Sequence, residues 1–468
     1  GLYDYWEMMR KHPRCIGGFL WVLADEGVKR VDMDGFIDNQ GNFGADGIVG
    51  PHHEKEGSYY TIKQLWSPVQ VMNTAIDRNF DGKLSVENRY DYLNLNTCRF
   101  IWQQVKFPSV TDASNTTTRI LKQGEVQGSD VAAHGVGVVD IKTSILPEAD
   151  ALFLTVIDKY GYELWRWTFP VDKLNRETEQ FSASSGRASY TETEKGITVK
   201  ANGRTFVFSK KDGQLKDVSV NNRKISFANG PRFIGARRAD RSLDQFYNHD
   251  DEKAKAKDRT YSEFTDAAVF TKLDVKEEGG NLILTANYKL GNLDKAQWTI
   301  HPDGMATLDY TYNFSGVVDL MGICFDYPEE QVLSKRWLGA GPYRVWQNRI
   351  HGTQYDIWEN DYNDPIPGET FTYPEFKGYF GSVSWMSIRT KEGTISLTNE
   401  TPDSYIGVYQ PRDGRDRLLY TLPESGISVL NVIPPVRNKV NSTDLCGPSS
   451  QPKWVDGPQT GRLVLRFE

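Results

Sequence analysis

The sequence predicts a mainly β protein, a short α/β segment followed by two successive blocks of β-sandwich. Three observations carry this. Residues 2–23 hold one amphipathic helical pattern and one continuous apolar run. Residues from about 69 to 172 are short alternating runs broken by turns. From about 176 to the end that texture continues, with no long helical pattern and no repeat of fixed period.

In the first segment Leu2, Tyr5, Trp6 and Met9 fall at i, i+3, i+4 and i+7, the apolar stripe of a helix. Arg10, Lys11 and His12 make a cationic last turn and Pro13 stops it. Cys15 to Leu23 is nearly all apolar, as in a strand buried on both faces of a parallel sheet. One such strand makes no parallel sheet, so the chain is expected to begin inside an α/β domain whose remainder lies elsewhere. A small α+β cap with its own core is the alternative. On the first reading residues 1–65 are held loosely.

After Trp66-Ser67-Pro68 the runs Lys83 to Asn88, Phe100 to Val105 and Ala151 to Val156 read as strands, with Asp81-Gly82 turning into the first. About 100 residues of this kind suit an immunoglobulin-like sandwich. Further on, turns are marked by Asn202-Gly203, Asp212-Gly213, Asn221-Asn222 and Asp303-Gly304, inside a large sandwich or two tightly joined ones.

Composition narrows the functions. Of 468 residues 38% are hydrophobic, 12% aromatic and 25% charged, enough for several cores. The net charge is −7, and the nearest thing to a basic patch, Lys253 to Lys257, alternates with Ala beside Asp250, Asp251 and Glu252. That is a solvated loop, and nucleic acid is excluded as a partner. No apolar run approaches the roughly 20 residues of a membrane span. Cys15, Cys98, Cys324 and Cys446 are far apart and form no CxxC, against a zinc site or a disulfide framework. His52-His53 is no metal pattern. The 12 Trp and 23 Tyr suit sugar stacking, and equally a ligand-free β protein. Sequons at Asn115, Asn313, Asn399 and Asn441 leave the compartment unassigned, with periplasmic or secreted preferred.

Several stretches, in order, resemble the family 2 glycoside hydrolases, β-galactosidases in particular. Leu2 to Glu7 followed by Pro13 to Trp21 looks like the last helix and strand of that family's barrel. Asn42 to Val49 looks like its post-strand loop. Lys335 to Tyr343 and Gln347-Asn348-Arg349 look like a signature of its C-terminal sandwich. The resemblance runs over essentially the whole chain. It implies the end of a (β/α)8 barrel at 1–65, an immunoglobulin-like sandwich at 66–175 and a large C-terminal sandwich at 176–468.

Function follows as an expectation. The resemblance implies a retaining glycosidase cleaving β-linked sugars, most of all a β-galactosidase. Its substrate is an oligo- or polysaccharide, and its other partners are the rest of the barrel and the N-terminal domains. A homo-oligomer is allowed. The alternative is a non-catalytic carbohydrate-binding or scaffold protein built from the sandwiches. Retaining hydrolysis needs two carboxyl groups about 5–5.5 Å apart. In the family both are glutamates on strands that precede Gly1, so no catalytic residue is expected in this chain. Asp25 and Glu26 are expected to close a loop by hydrogen bonds or ion pairs.

Trp21, at the C-terminal end of the apolar strand, is the candidate floor of the sugar subsite, against a core tryptophan. Phe43 and Asp46 align with positions that help hold a monovalent cation in some members, with Asp46 where Asn is usual. No other cofactor is required. Trp346, Tyr355, Trp358, Tyr362, Phe371 and Tyr373 form an aromatic cluster, and from Asp356 to Gly368 the chain reads as a long exposed loop. Trp346 and Trp358 are therefore candidate sugar contacts, against a loop packed on its own sandwich. Gly426 to Asn431 matches a family loop that brings a tryptophan to the sugar pocket, but Val429 stands at that place, a departure from the β-galactosidase pattern.

Overall fold

The computed structural model describes residues 1–38, 44, 47–112, 117–171, 186–238, 261–264, 266–361, 378–401, 403–408, 423, 425–436 and 446–468. The chain is mainly β, with 53% strand and 8% helix.

The large C-terminal part is two antiparallel sheets over one core. Among the described residues one sheet has nine strands, centred on Ala306–Val318 and Lys453–Phe467, which pair from Ala306 with Leu465 to Val318 with Lys453. The other has 11 strands, centred on Ala228–Arg238, Leu320–Asp326 and Ile427–Val432. Period-two alternation builds both. In Asn281–Lys289 the side chains of Leu282, Leu284 and Ala286 are fully buried while their neighbours face outward. Inward residues from both sheets, among them Phe206, Phe208, Trp298, Phe325 and Trp337, form a single cluster. Gly203, Gly213 and Gly304 all turn with positive φ, and Asn221 (φ 48°) and Asn222 (φ 67°) supply the doubly left-handed pair that a tight hairpin requires.

Before it stands a smaller two-sheet sandwich. Val69–Val71, Lys83–Asn88 and Val136–Asp140 form one sheet, and Arg119–Gln127, Arg99–Lys106, Ala151–Ile157 and Glu163–Pro170 the other, around a shared core that includes Trp102, Leu154 and Trp165. Its four-stranded sheet docks on the edge strand Gln354–Asp361 of the large sandwich. Val105, Phe107 and Phe153 pack there against Leu338, Tyr355 and Trp385. Arg166 holds Gln354 (2.8 Å) and Asp356 (3.3 Å), and the backbone N–H of Tyr355 donates to Thr168 Oγ1 at 2.7 Å.

The first segment departs from expectation. Helix α1 (Leu2–Lys11) forms as its periodicity predicts. The apolar run after it makes no strand among the described residues, because no sheet lies beside it here. Ile16 and Phe19 are 104% exposed. Nor is the whole of 1–65 loosely held. Arg10 pairs with Glu87 at 2.9 Å, and Tyr3 stacks on His351 at 4.7 Å. A second helix, α2 (Gly57–Leu65), buries Thr61, Ile62 and Leu65. No helix among the described residues is long and apolar enough to cross a membrane.

Candidate functional site

The sequence candidates do not come together in one place. Trp21 is 77% exposed on the extended stretch after α1, and Leu20 and Leu23 beside it are exposed as well. Trp346 is 3% exposed, closed inside a cluster with Ile234, Leu430 and the edge-on ring of Tyr379 at 5.6 Å. Trp358 is half-buried, and its indole N–H lies between the carbonyls of Gly339 (3.2 Å) and Gln354 (3.1 Å). It sits on strand Gln354–Asp361, so the exposed loop expected from Asp356 onward starts later than composition suggests. Tyr362, Phe371, Tyr373, Phe43, Asp46 and Lys253 to Lys257 lie outside the described residues.

The Trp-Leu-Gly-Ala-Gly-Pro motif is structural. Trp337 is fully buried, and a Cβ on Gly341 would stand 2.3 Å from the Trp358 ring, so only glycine lets strand and indole meet. The Gln-Asn-Arg motif that follows joins distant segments. Gln347 Nε2 donates to the carbonyls of Ser449 (2.9 Å) and Gln451 (2.6 Å). Asn348 donates to Val436 O and Ser450 Oγ and accepts from Val436 N.

Next to this motif, α2 meets the large sandwich. A Cβ on Gly57 would lie 3.2 Å from Tyr343 and 3.5 Å from an Arg349 guanidinium nitrogen. Gly352 N–H donates to Gln64 Oε1 at 2.6 Å, and Thr61 Oγ1 donates to His351 O at 2.9 Å. Two carboxylates are buried here. Asp25, 6% exposed, accepts from Gly47 N–H at 2.7 Å, the loop closure expected of it; Glu26 is exposed, and its N–H donates to Gly44 O at 2.8 Å. Glu56, 4% exposed, is pushed up to about 7, first by burial and then by the charges of Asp25 and Glu54, with Arg349 pulling the other way. Sequence reasoning missed Glu56. It stands in a polar run, and its burial depends on Tyr343 and Arg349, nearly 300 residues away.

A carboxyl that titrates near neutrality has the right range for acid–base work. Burial withholds Glu56 from a substrate, so its consequence is for stability. Its folded value lies above the ordinary 4.5. It therefore favours the fold fully below that value, and this contribution is lost as pH rises through about 7. The melting temperature should fall between pH 5 and pH 8, and Glu56→Gln should flatten that dependence. An unchanged slope in the variant would assign it to other groups.

The comparisons with known proteins point to β-galactosidases. A family model described as Beta galactosidase small chain matches residues 200–429, most of the two large sheets. The β-galactosidase of Priestia megaterium (strain DSM 319 / IMG 1521) is 22% identical over 436 residues, covering 86% of this chain and 39% of that protein. These matches support a C-terminal portion of a β-galactosidase-like protein. The β-galactosidase of Staphylococcus xylosus is likewise 21% identical over 441 residues, covering 86% of this chain and 41% of its own length. This β-galactosidase-like chain thus spans about two fifths of the length of the curated relatives it matches. Among solved structures, the galactose 1-epimerase from Lactobacillus acidophilus NCFM is similar over 61% of this chain and 99% of its own, with a TM-score of 0.30 and 10% identity.

Proposed function

We propose that the chain is the C-terminal region of a retaining glycoside hydrolase acting on β-linked galactosides, with both catalytic glutamates outside residues 1–468. Residues 1–65 are in this reading the end of its (β/α)8 barrel, 66–175 an immunoglobulin-like sandwich and 176–468 the large C-terminal sandwich. The observation that carries it is the unpartnered apolar face of the first segment. Ile16 and Phe19 (104%), Leu23 (62%), Val28 (64%), Val31 (90%) and Phe36 (54%) are all exposed, and Trp21 (77%) stands among them at the edge.

Covering such side chains is worth about 1.5–3 kcal/mol each, and an exposed patch of this kind marks an interaction surface. In a β-galactosidase-like protein the body that covers it is the remainder of the barrel. Trp21 then comes to the mouth where barrel enzymes keep their sites, and the sugar platform is assigned to Trp21 alone. Trp346 and Trp358 hold the large sandwich together. Phe43 and Asp46 stay part of the proposal as a monovalent-cation position.

The test is hydrolysis of nitrophenyl β-galactoside. The chain by itself should give no turnover, and protein that carries the remaining barrel strands should give it. Turnover by the chain alone that disappears in Asp25→Asn or Glu56→Gln would place the chemistry inside these residues and overturn the assignment.

A further inference from the structure

Where the two sandwiches meet, the structure leaves a cleft of about 820 Å³, lined from both sides. Ile76, Asp77 and Phe80 come from the small sandwich, and Tyr405, Asn431 and Lys453 are among the residues from the large one. We propose that this cleft binds a segment of a neutral oligosaccharide, at a place separate from the surface around Trp21.

The size is that of a ligand pocket, which runs to about 300–1,000 Å³. The cleft is preformed, since the Arg166, Gln354, Asp356 and Thr168 contacts fix one sandwich against the other. Its chemistry selects the ligand class. Phe80 and the ring of Tyr405 offer the apolar surface on which the C–H face of a pyranose packs. The carboxylates of Asp77, Asp403 and Glu400 repel an anion, and Lys453 repels a cation. A neutral polyol uses donors and acceptors together and carries no charge to be repelled.

Two groups in the lining stand ready for it. Tyr312 OH donates to Asn431 Oδ1 at 2.6 Å, which fixes that amide and leaves its NH₂ with no protein acceptor among the described residues. The Tyr405 hydroxyl likewise has no protein partner among the described residues. The Asn399 amide is already committed, to Val383 O (3.2 Å) and Ser404 Oγ (2.9 Å), and serves as scaffold.

The experiment is isothermal titration of the chain with β-1,4-galactotetraose and cellotetraose, with a sulfated tetrasaccharide as the anionic control. Saturable binding of a neutral tetrasaccharide is expected. Tyr405→Phe keeps the ring and Asn431→Asp keeps the acceptor for Tyr312, so both variants should fold. Each loses one ligand hydrogen bond and should weaken binding about fivefold. Three results would overturn the site. These are no saturation with either neutral sugar up to about 10 mM by chain with a normal melting curve, affinity unchanged in both cleft variants, and preference for the sulfated sugar. Because hydrolysis plays no part in this titration, loss of this site would leave the proposed activity standing, and the converse also holds.

Discussion

Trp21→Ala is expected to lower kcat/KM about tenfold to a hundredfold in protein that carries the rest of the barrel, while the melting temperature hardly moves. The two halves of that expectation come from different observations. Trp21 is 77% exposed, and truncating a side chain that buries so little costs within about 0.5 kcal/mol of stability. The kinetic half follows from the proposed platform. A pyranose ring flattens on the way to an oxocarbenium-like transition state. An indole beneath it contributes contacts that change along that path, and only contacts that strengthen there raise kcat. A tryptophan whose role is to be covered by the barrel would behave in the opposite way. Its truncation would lower the melting temperature of the completed protein and leave kcat/KM per folded molecule unchanged. Melting and steady-state kinetics on the same variant separate the two, and the second pattern would end the site assignment.

Trp337→Ala is expected to produce the largest loss of stability. This side chain is fully buried between the two large sheets, edge-on to Phe380 at 4.8 Å. Removing it costs about 3–5 kcal/mol through lost burial and the cavity left behind. Its indole N–H also donates to the Ala340 carbonyl at 3.0 Å, and orphaning that acceptor adds about 1–3 kcal/mol. Urea unfolding should show a lower midpoint with an unchanged slope. A loss below about 1 kcal/mol would mean that the sheets repack over the gap, and that the motif around Trp337 owes nothing to the core.

Much of the architecture was legible because it is local. The i, i+3, i+4, i+7 stripe of Leu2, Tyr5, Trp6 and Met9 specifies a helix whatever surrounds it, and Leu2–Lys11 is helical. Alternation in Asn281–Lys289 decides which side chains face inward before any partner strand is known. The left-handed turns at Asn202-Gly203 and Asn221-Asn222 follow from residue types that tolerate positive φ.

What the sequence left open depends on neighbours it does not contain nearby. The apolar run from Cys15 to Leu23 reads as a buried strand, yet a strand is defined by what pairs with it, and here the run stays extended and exposed. Trp346 and Trp358 looked alike in composition, but tertiary packing closes one inside a core and ties the other to backbone carbonyls. Glu56 became a buried acid only where Tyr343, Arg349 and Asp25 converge on it. The cleft joins Phe80 to Tyr405 and Asn431 across more than 300 positions. The sequence by itself determined the helix, the strands and their inward faces, because those rest on periodicity. The tertiary structure alone decided which aromatic and acidic groups are open to a ligand, because exposure and charge are set by whatever long-range packing brings alongside.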